Sequence, residues 1–117
     1  MEKVTKKLEV QFFRTPAGNE VVREWLLSLP KDKRVVIGDD ILKVQYSWPI
    51  GKPLIDGLGR GLWEVRSKLD DRIARVIFYI SGKEMILLHG FIKQTQKTPP
   101  QELELARKRK RIHESGN

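Results

Sequence analysis

The feature that most constrains the fold of this chain is a change in the spacing of its apolar residues near position 60. Beyond that point the apolar period falls to about two. Three strand-length runs rich in Val, Ile, Phe and Tyr follow one another, at Leu62–Leu69, Arg72–Ile80 and Glu84–Lys93. Only short polar connections separate these runs, and connections of that length join antiparallel strands. The sequence therefore predicts a three-stranded antiparallel meander.

Before this change the apolar residues follow a helical period, with one short strand ahead of them. Leu8–Phe13 alternates apolar and polar side chains, as a short strand does. The apolar stripe within Val21–Leu29 predicts a helix that Pro30 ends, and the stripe within Ile37–Trp48 predicts a helix that ends at Pro49. The two helices are expected to form an antiparallel hairpin.

The remaining segments are a stretch rich in glycine and proline and a final helix. Residues 49–61 are predicted to be a loop without regular structure. Thr98 is placed as the N-cap of the final helix, with Pro99 at the first helical position and Gln101 at the third. The order β-α-α-β-β-β-α predicts an α+β fold, a single domain over residues 1–117 with an antiparallel sheet and helices packed on one face.

Positive charge is concentrated in the second half of the chain. There are 23 Lys and Arg against 15 Asp and Glu, which gives a formal net charge of +8. Residues 15–59 are neutral overall, whereas residues 60–117 carry a net charge of +6. Such an excess on one half favours binding to a polyanion, most commonly nucleic acid, over a merely basic surface.

The composition also excludes several classes of function. The chain has no Cys and two His, so it lacks thiolate nucleophiles, disulfides and the Cys and His patterns that bind zinc. We therefore expect no metal and no cofactor. The longest fully apolar run, Met85–Leu88, is too short to cross a membrane, and the N-terminal residues lack the apolar region of a secretory signal. A soluble, cytoplasmic protein is expected.

The first hairpin of the meander brings two arginines together. If Asp70 and Asp71 form a two-residue turn, Arg66 lies directly opposite Arg75 on one face of the sheet. Opposed cations repel, which predicts an anion between them, and a guanidinium fork suits phosphate. Alternatively, Glu64 or Asp70 neutralises one arginine while the other extends to water, or a three-residue turn shifts the register. Because the two charges repel, replacing either arginine by Ala is expected to keep or raise thermal stability.

Two further candidates, His89 and Lys93, lie near the end of the third strand of the meander. Together with Arg66 and Arg75, they are predicted as catalytic residues. For His89, acid–base catalysis and a half-buried structural role are both open. The basic residues predicted to contact RNA are Lys68, Lys97, Arg107, Lys108, Arg109, Lys110 and Arg111. The last five are consecutive, more cations than are needed to complement a helix dipole.

Three parts of the sequence carry a resemblance to a known family. They are Thr15–Asn19 with Val22–Leu26, then Gly59–Arg66, then Leu88–Pro99, in this order. These segments resemble the phage-derived Gp49-like, HigB-type branch of the RelE/ParE toxin superfamily. The resemblance implies a compact toxin fold and a function as the toxin of a type II toxin–antitoxin pair. RelE-like members cleave mRNA in the ribosomal A site without a metal, whereas ParE-like members poison DNA gyrase.

The resemblance also implies roles for individual residues. Arg66 and Arg75 fall where the nucleases place phosphate-binding basic residues, and Lys93 falls where another is usual. Some RelE-like enzymes use a tyrosine near the C-terminus, and this chain has none after Tyr79. Either His89 or a lysine would then serve in proton transfer, or the reaction relies on positioning and charge stabilisation alone. The implied reaction is transesterification, in which the ribose 2′-OH attacks the adjacent phosphorus and expels the 5′-oxygen.

The partners implied are mRNA on the ribosome and a helix-turn-helix, HigA-like antitoxin. The antitoxin is expected on the helical hairpin of residues 19–48, with Trp25 and Trp48 as anchors unless both belong to the core. An acidic antitoxin that covers residues 60–117 is the alternative. Two other functions stay open, a ParE-like gyrase inhibitor without nuclease activity and a non-catalytic phage-derived nucleic-acid-binding protein.

Overall fold

The computed structural model describes residues 5–94 and 96–116 of the chain. The elements in chain order are β1 (Glu9–Phe12), α1 (Val21–Ser28), α2 (Lys31–Ser47), β2 (Ile55–Gly59), β3 (Leu62–Lys68), β4 (Ile73–Ser81), β5 (Glu84–Lys93) and α3 (Pro100–Gly116). The α+β class and the predicted order of elements are confirmed, with β2 as an additional strand. Within the described residues, no helix is both long and apolar enough to cross a membrane.

The five strands form one sheet in the order β1-β5-β4-β3-β2. The predicted meander is its centre, because β3, β4 and β5 pair antiparallel along the sheet. The register places Arg66 opposite Arg75, as the two-residue turn predicts. At one edge β1 pairs in parallel with β5, through partners such as Glu9 and Glu84, so the sheet is not wholly antiparallel.

The prediction that residues 49–61 contain no regular structure is wrong, because β2 pairs antiparallel with β3 as an edge strand. Its glycines serve this pairing. A Cβ at Gly57 would lie 3.3 Å from the Trp63 ring, so glycine lets the indole approach the backbone. The register shifts between Gly57 and Gly59, and Gly59 has a φ of 83° that few other residues adopt.

The helices cover both faces of the sheet, and the prediction of one covered face is wrong. On one face α1 packs against β5 and α2 against β3, whereas α3 packs against β4 and β5 on the other. Ala106 is the fully buried residue of α3, and it belongs to a separate apolar cluster with Ile77 and Leu88. The six residues of β4 from Ala74 to Tyr79 are all buried. A strand buried on both sides needs a cover on each.

α3 is confirmed as a helix, but it does not begin with the predicted capping box. It starts at Pro100, and the backbone amides of Glu102 and Leu103 donate to the carbonyl of Pro99 at 3.1 and 3.2 Å. The Thr98 hydroxyl donates instead to a carboxylate oxygen of Glu64 at 2.5 Å. The residue predicted as the N-cap is thus used to bind a buried anion.

Both tryptophans of the helical hairpin pack against the core. Trp48 makes edge-to-face contacts with Trp63 and Phe78, with ring centroids 5.2 and 5.7 Å apart. Trp25 lies on β5 at Gly90, where its ring leaves no room for a Cβ. The large apolar side chains that the hairpin leaves exposed are Leu27, Val35, Val36, Leu42 and Tyr46.

Candidate active site

A carboxylate of the chain itself lies between the two opposed arginines. Glu64 places its Oε1 3.7 Å from Nε of Arg66 and 3.9 Å from Nη1 of Arg75. The side chains of Glu64 and Arg75 are 1% and 0% exposed, whereas that of Arg66 is 21% exposed. The anion that the arginine pair requires is therefore supplied by Glu64, which contacts both guanidinium groups.

Both arginines also donate to one main-chain oxygen. The Nη2 atoms of Arg66 and Arg75 lie 3.2 and 3.1 Å from the carbonyl oxygen of Gln96. Asp56 on β2 adds a further carboxylate oxygen 3.9 Å from Nη1 of Arg66. Two guanidinium groups that share one oxygen have the geometry needed to share an oxygen of a phosphate.

Burial controls the ionisation of this cluster. Burial raises the pKa of Glu64, and the Thr98 hydroxyl and the two arginines oppose that rise. Burial likewise lowers the pKa of Arg75, and Glu64 opposes the change. Because each buried charge depends on the other, removing Arg75 would leave the buried Glu64 carboxylate without one of its two guanidinium partners. The geometry thus reverses the expectation that Arg75→Ala keeps or raises stability.

His89 is held at both ring nitrogens. Its Nε2 lies 3.0 Å from Oε1 of Glu102, and Nη1 of Arg109 lies 3.2 Å from its Nδ1. A guanidinium only donates, so Nδ1 accepts and the ring proton lies on Nε2, which donates to Glu102. The ring also stacks on Phe91, with centroids 5.4 Å apart. Both nitrogens are occupied, an arrangement that favours the structural role left open for His89.

We expect the His89 imidazole to titrate below its usual pKa of 6.5, because burial outweighs the opposing effect of Glu102. NMR titration of the His89 and His113 rings, the two in the chain, measures this. Glu102→Gln should lower the pKa further. The unfolded chain binds this proton more readily, so stability should fall as the pH drops below about 6.5. A His89→Gln variant with undiminished pH dependence would contradict the assignment.

Lys93 and Glu102 form the more accessible end of the group of side chains that surrounds His89. Nζ of Lys93 lies 3.9 Å from Oε2 of Glu102, and the two side chains are 39% and 16% exposed. The register pairs Phe91 with Arg75, so alternate residues of β5 bring His89 and Lys93 to the face that carries the arginines. Glu102 could not be identified as a site residue from the sequence, because its spacing alone does not show that the first turn of α3 faces β5.

A cavity of about 700 Å³ opens beside Arg66, and its lining includes Leu54, Lys68, Ile73 and Gln94. A ligand in this cavity reaches Arg66 directly, whereas Arg75 is fully buried behind it. Among residues 5–94 and 96–116, no three His, Cys, Asp or Glu side chains are grouped closely enough to hold a metal ion.

The basic run of α3 is divided between the interior and the surface. Arg109 donates to the Leu88 carbonyl at 2.9 Å and lies 6.0 Å from the centroid of the Phe13 ring. Lys110 donates to the Arg60 carbonyl at 3.0 Å. These two residues, predicted to contact RNA, fasten α3 to the sheet.

The other residues predicted to contact RNA are more accessible. Arg107 is partly exposed and pairs with Glu104 at 3.7 Å. The exposed members of the set are Lys68, Lys97, Lys108 and Arg111. RNA could reach these side chains without any displacement of α3, and their role in RNA binding stays a prediction.

The topology and the arginines on the sheet face define a small α+β fold with a basic site, and a comparison with protein families places this fold in a family. The model of the family described as Phage derived protein Gp49-like (DUF891) matches residues 24–111. The match covers most of the chain, which therefore belongs to the Gp49-like family, within the RelE/HigB-like toxin superfamily. A search of curated proteins finds no match.

Proposed function

We propose that the chain is a HigB-type toxin of a type II toxin–antitoxin system and that it cleaves mRNA on the ribosome. The observation that carries the proposal is the convergence of Arg66 and Arg75 on one acceptor oxygen. Lys93 and Glu102 add an ammonium and a carboxylate on the same face. Membership of the Gp49-like family supports a toxin-like function, and the site favours a nuclease among the toxin activities.

The proposed reaction is a transesterification. The ribose 2′-OH attacks the adjacent phosphorus, the bond to the 5′-oxygen breaks, and a 2′,3′-cyclic phosphate is left. Arg66, with Arg75 behind it, neutralises the charge that develops on the phosphorane oxygens, and a phosphate oxygen takes the place of the Gln96 carbonyl. Glu102 accepts the proton of the 2′-OH, and Lys93 donates a proton to the leaving 5′-oxygen. The anchored His89 ring positions Glu102.

Mapping of mRNA 5′ ends after induction of the chain in growing bacteria tests this proposal. We expect new 5′ ends within translated coding sequences. Intact mRNA together with inhibited DNA supercoiling would instead indicate a ParE-like gyrase inhibitor. RNA that is bound but not cut would indicate a non-catalytic phage-derived nucleic-acid-binding protein.

Cleavage is expected to persist in excess EDTA, because the arginines supply the charge stabilisation that a metal ion provides in metal-dependent nucleases. The measurement requires conditions that leave the ribosome intact. Loss of cleavage under those conditions would refute the metal-free mechanism. Free RNA should be cut poorly, since we expect the ribosome, and not this small site, to hold the 2′-OH in line for attack. Efficient cutting of free RNA at physiological salt would remove the ribosome from the proposal.

We further propose that a helix-turn-helix, HigA-like antitoxin holds the toxin inactive in the cytoplasm. Its contact is on the helical hairpin, with Val35, Leu42 and Tyr46 of α2 as anchors in place of the two core tryptophans. These three side chains follow helical spacing and lie on one side of α2.

Because residues 15–59 are neutral overall, the association rate with the antitoxin should change little with added salt. Stopped-flow association at increasing salt measures this, with Leu42→Asp as the interface variant. A steep fall in rate, together with lost binding in charge reversals of Arg66 and Arg75, would place the antitoxin on residues 60–117 instead.

A further inference from the structure

The turn between β2 and β3 holds an arginine in a backbone conformation that arginine rarely adopts. Gly59 pairs with Leu62, so Arg60 and Gly61 form a two-residue connection. Both have positive φ, 54° and 76°, as in a type I′ turn. The first position of that turn favours Asn, Asp or Gly, and other L residues are strained there. Arg60 is thus an unfavourable residue for its own turn, and its side chain is exposed.

α3 fixes this turn in place. Nζ of Lys110 donates to the Arg60 carbonyl at 3.0 Å, and a Cβ at Gly61 would lie 3.3 Å from the same nitrogen. Lys110 also lies over the Tyr79 ring, 5.4 Å from its centroid. The main chain of the turn is held by the helix, while the Arg60 guanidinium forms no ion pair with any other described residue.

Other cations lie beside the turn on α3. Arg107 precedes Lys110 by three residues and Arg111 follows Arg107 by four, so each lies one helical turn from its neighbour. We call the group formed by Arg60, Arg107, Lys110 and Arg111 the tip patch. Two acids accompany it, Glu104 at 3.7 Å from Arg107 and Glu114 at 3.9 Å from Lys110. Cations remain in excess.

The tip patch is separate from the candidate active site. It adjoins the start of β3 at Leu62, whereas Arg66 lies four residues further along the strand. At about 3.3 Å per residue that separation is roughly 13 Å, too far for one phosphate group to contact both. A nucleic acid at the tip patch would therefore be bound at a second place.

We propose that the tip patch docks the phosphate backbone of a folded RNA, with Arg60 as its central contact. The inference rests on the proposed function, because a toxin that acts on ribosome-bound mRNA is surrounded by RNA helices. Because α3 fixes the main chain of the turn, the turn can match the regular phosphate spacing of an RNA helix. Guanidinium groups bind phosphate through their planar fork of donors. A residue that breaks the local rule of its turn is expected at functional positions.

Binding of the full chain to a short RNA duplex, measured by fluorescence anisotropy over a range of salt concentrations, tests this inference. Arg60→Gly is the central variant, because glycine suits the turn and the substitution removes the cation. Its melting temperature should hold or rise. Its affinity for the duplex at about 0.1 M salt should fall roughly fivefold to tenfold, and the slope of log K against log salt should decrease by about 0.9.

Two control variants sharpen the result. Arg60→Lys keeps the charge and should keep the salt slope. Arg23→Gln removes an exposed cation from α1, whose helix packs on the other face of the sheet, and should leave the affinity unchanged. An unaltered slope in Arg60→Gly, or an equal loss in Arg23→Gln, would overturn the inference.

Comparison ligands test the class of partner. Single-stranded RNA or polyglutamate that binds as tightly as the duplex, with the same dependence on Arg60, would overturn the assignment to folded RNA. Because the assay needs no cleavage, the two proposals fail separately. If the chain cuts no mRNA but Arg60→Gly loses duplex binding, the proposed docking surface is supported. If the chain cuts mRNA but Arg60→Gly binds the duplex unchanged, the proposed docking surface is refuted.

Discussion

The Arg75→Ala variant is expected to lose about 3–5 kcal/mol of unfolding free energy, because it removes the fully buried guanidinium partner of the Glu64 carboxylate. The Glu64 and Arg75 side chains are 1% and 0% exposed, so the pair lies out of contact with bulk water. Arg66 stays close to Glu64, but it is shared with Asp56. Chemical denaturation of the wild type and the variant at neutral pH measures the difference.

A double variant provides the matched control. Glu64→Leu combined with Arg75→Leu removes both charges and should recover much of the lost stability, since apolar replacement of a buried ion pair is often neutral. Arg75→Lys keeps a charge without the planar fork and should give a smaller loss than Ala. An Arg75→Ala variant as stable as the wild type would show that the pair contributes nothing and would restore the argument from like-charge repulsion.

The Arg66→Ala variant is expected to cleave ribosome-bound mRNA about 10²- to 10³-fold more slowly while it stays folded. Arg66 borders the open cavity and is 21% exposed, whereas Glu64 keeps its contacts with Arg75 and Thr98 when Arg66 is removed. Growth after induction, the cleavage rate and thermal unfolding should be measured with the same variant.

Arg14→Ala is the control for a general loss of charge, because Arg14 is 66% exposed and pairs with Glu20 at 3.4 Å. It should keep both cleavage and stability. If Arg66→Ala loses stability together with toxicity, Arg66 serves the fold rather than the reaction. If it retains full toxicity, the arginine pair has no part in cleavage.

The local patterns in the sequence were sufficient for most elements of the fold. Apolar period and helix-ending prolines act over a few residues, which is why α1, α2 and the meander could be predicted. The side of the sheet that α3 covers depends on contacts between distant segments. The apolar run of Arg72–Ile80 held a signal of this, because a strand without regular polar alternation is buried on both faces.

Part of the candidate site could also be predicted from the sequence. A two-residue turn fixes the register of its hairpin, so the opposition of Arg66 and Arg75 followed from the sequence. The contacts of Glu102 with His89 and Lys93 did not, because they depend on how α3 lies on the sheet. The contact of Thr98 could not be predicted either, because its hydroxyl donates to the buried Glu64 carboxylate instead of capping the helix.

The parallel pairing of β1 with β5 also governs when the chain can complete its fold during synthesis. The strand partner of Glu9 is Glu84, which is translated much later. Synthesis proceeds from the N-terminus, so β1 has to wait until β5 has left the exit tunnel. The whole of α3 emerges later still. Under the proposed function, the site would be complete only after α3 has been made, and this delay would protect the ribosome that is making the chain.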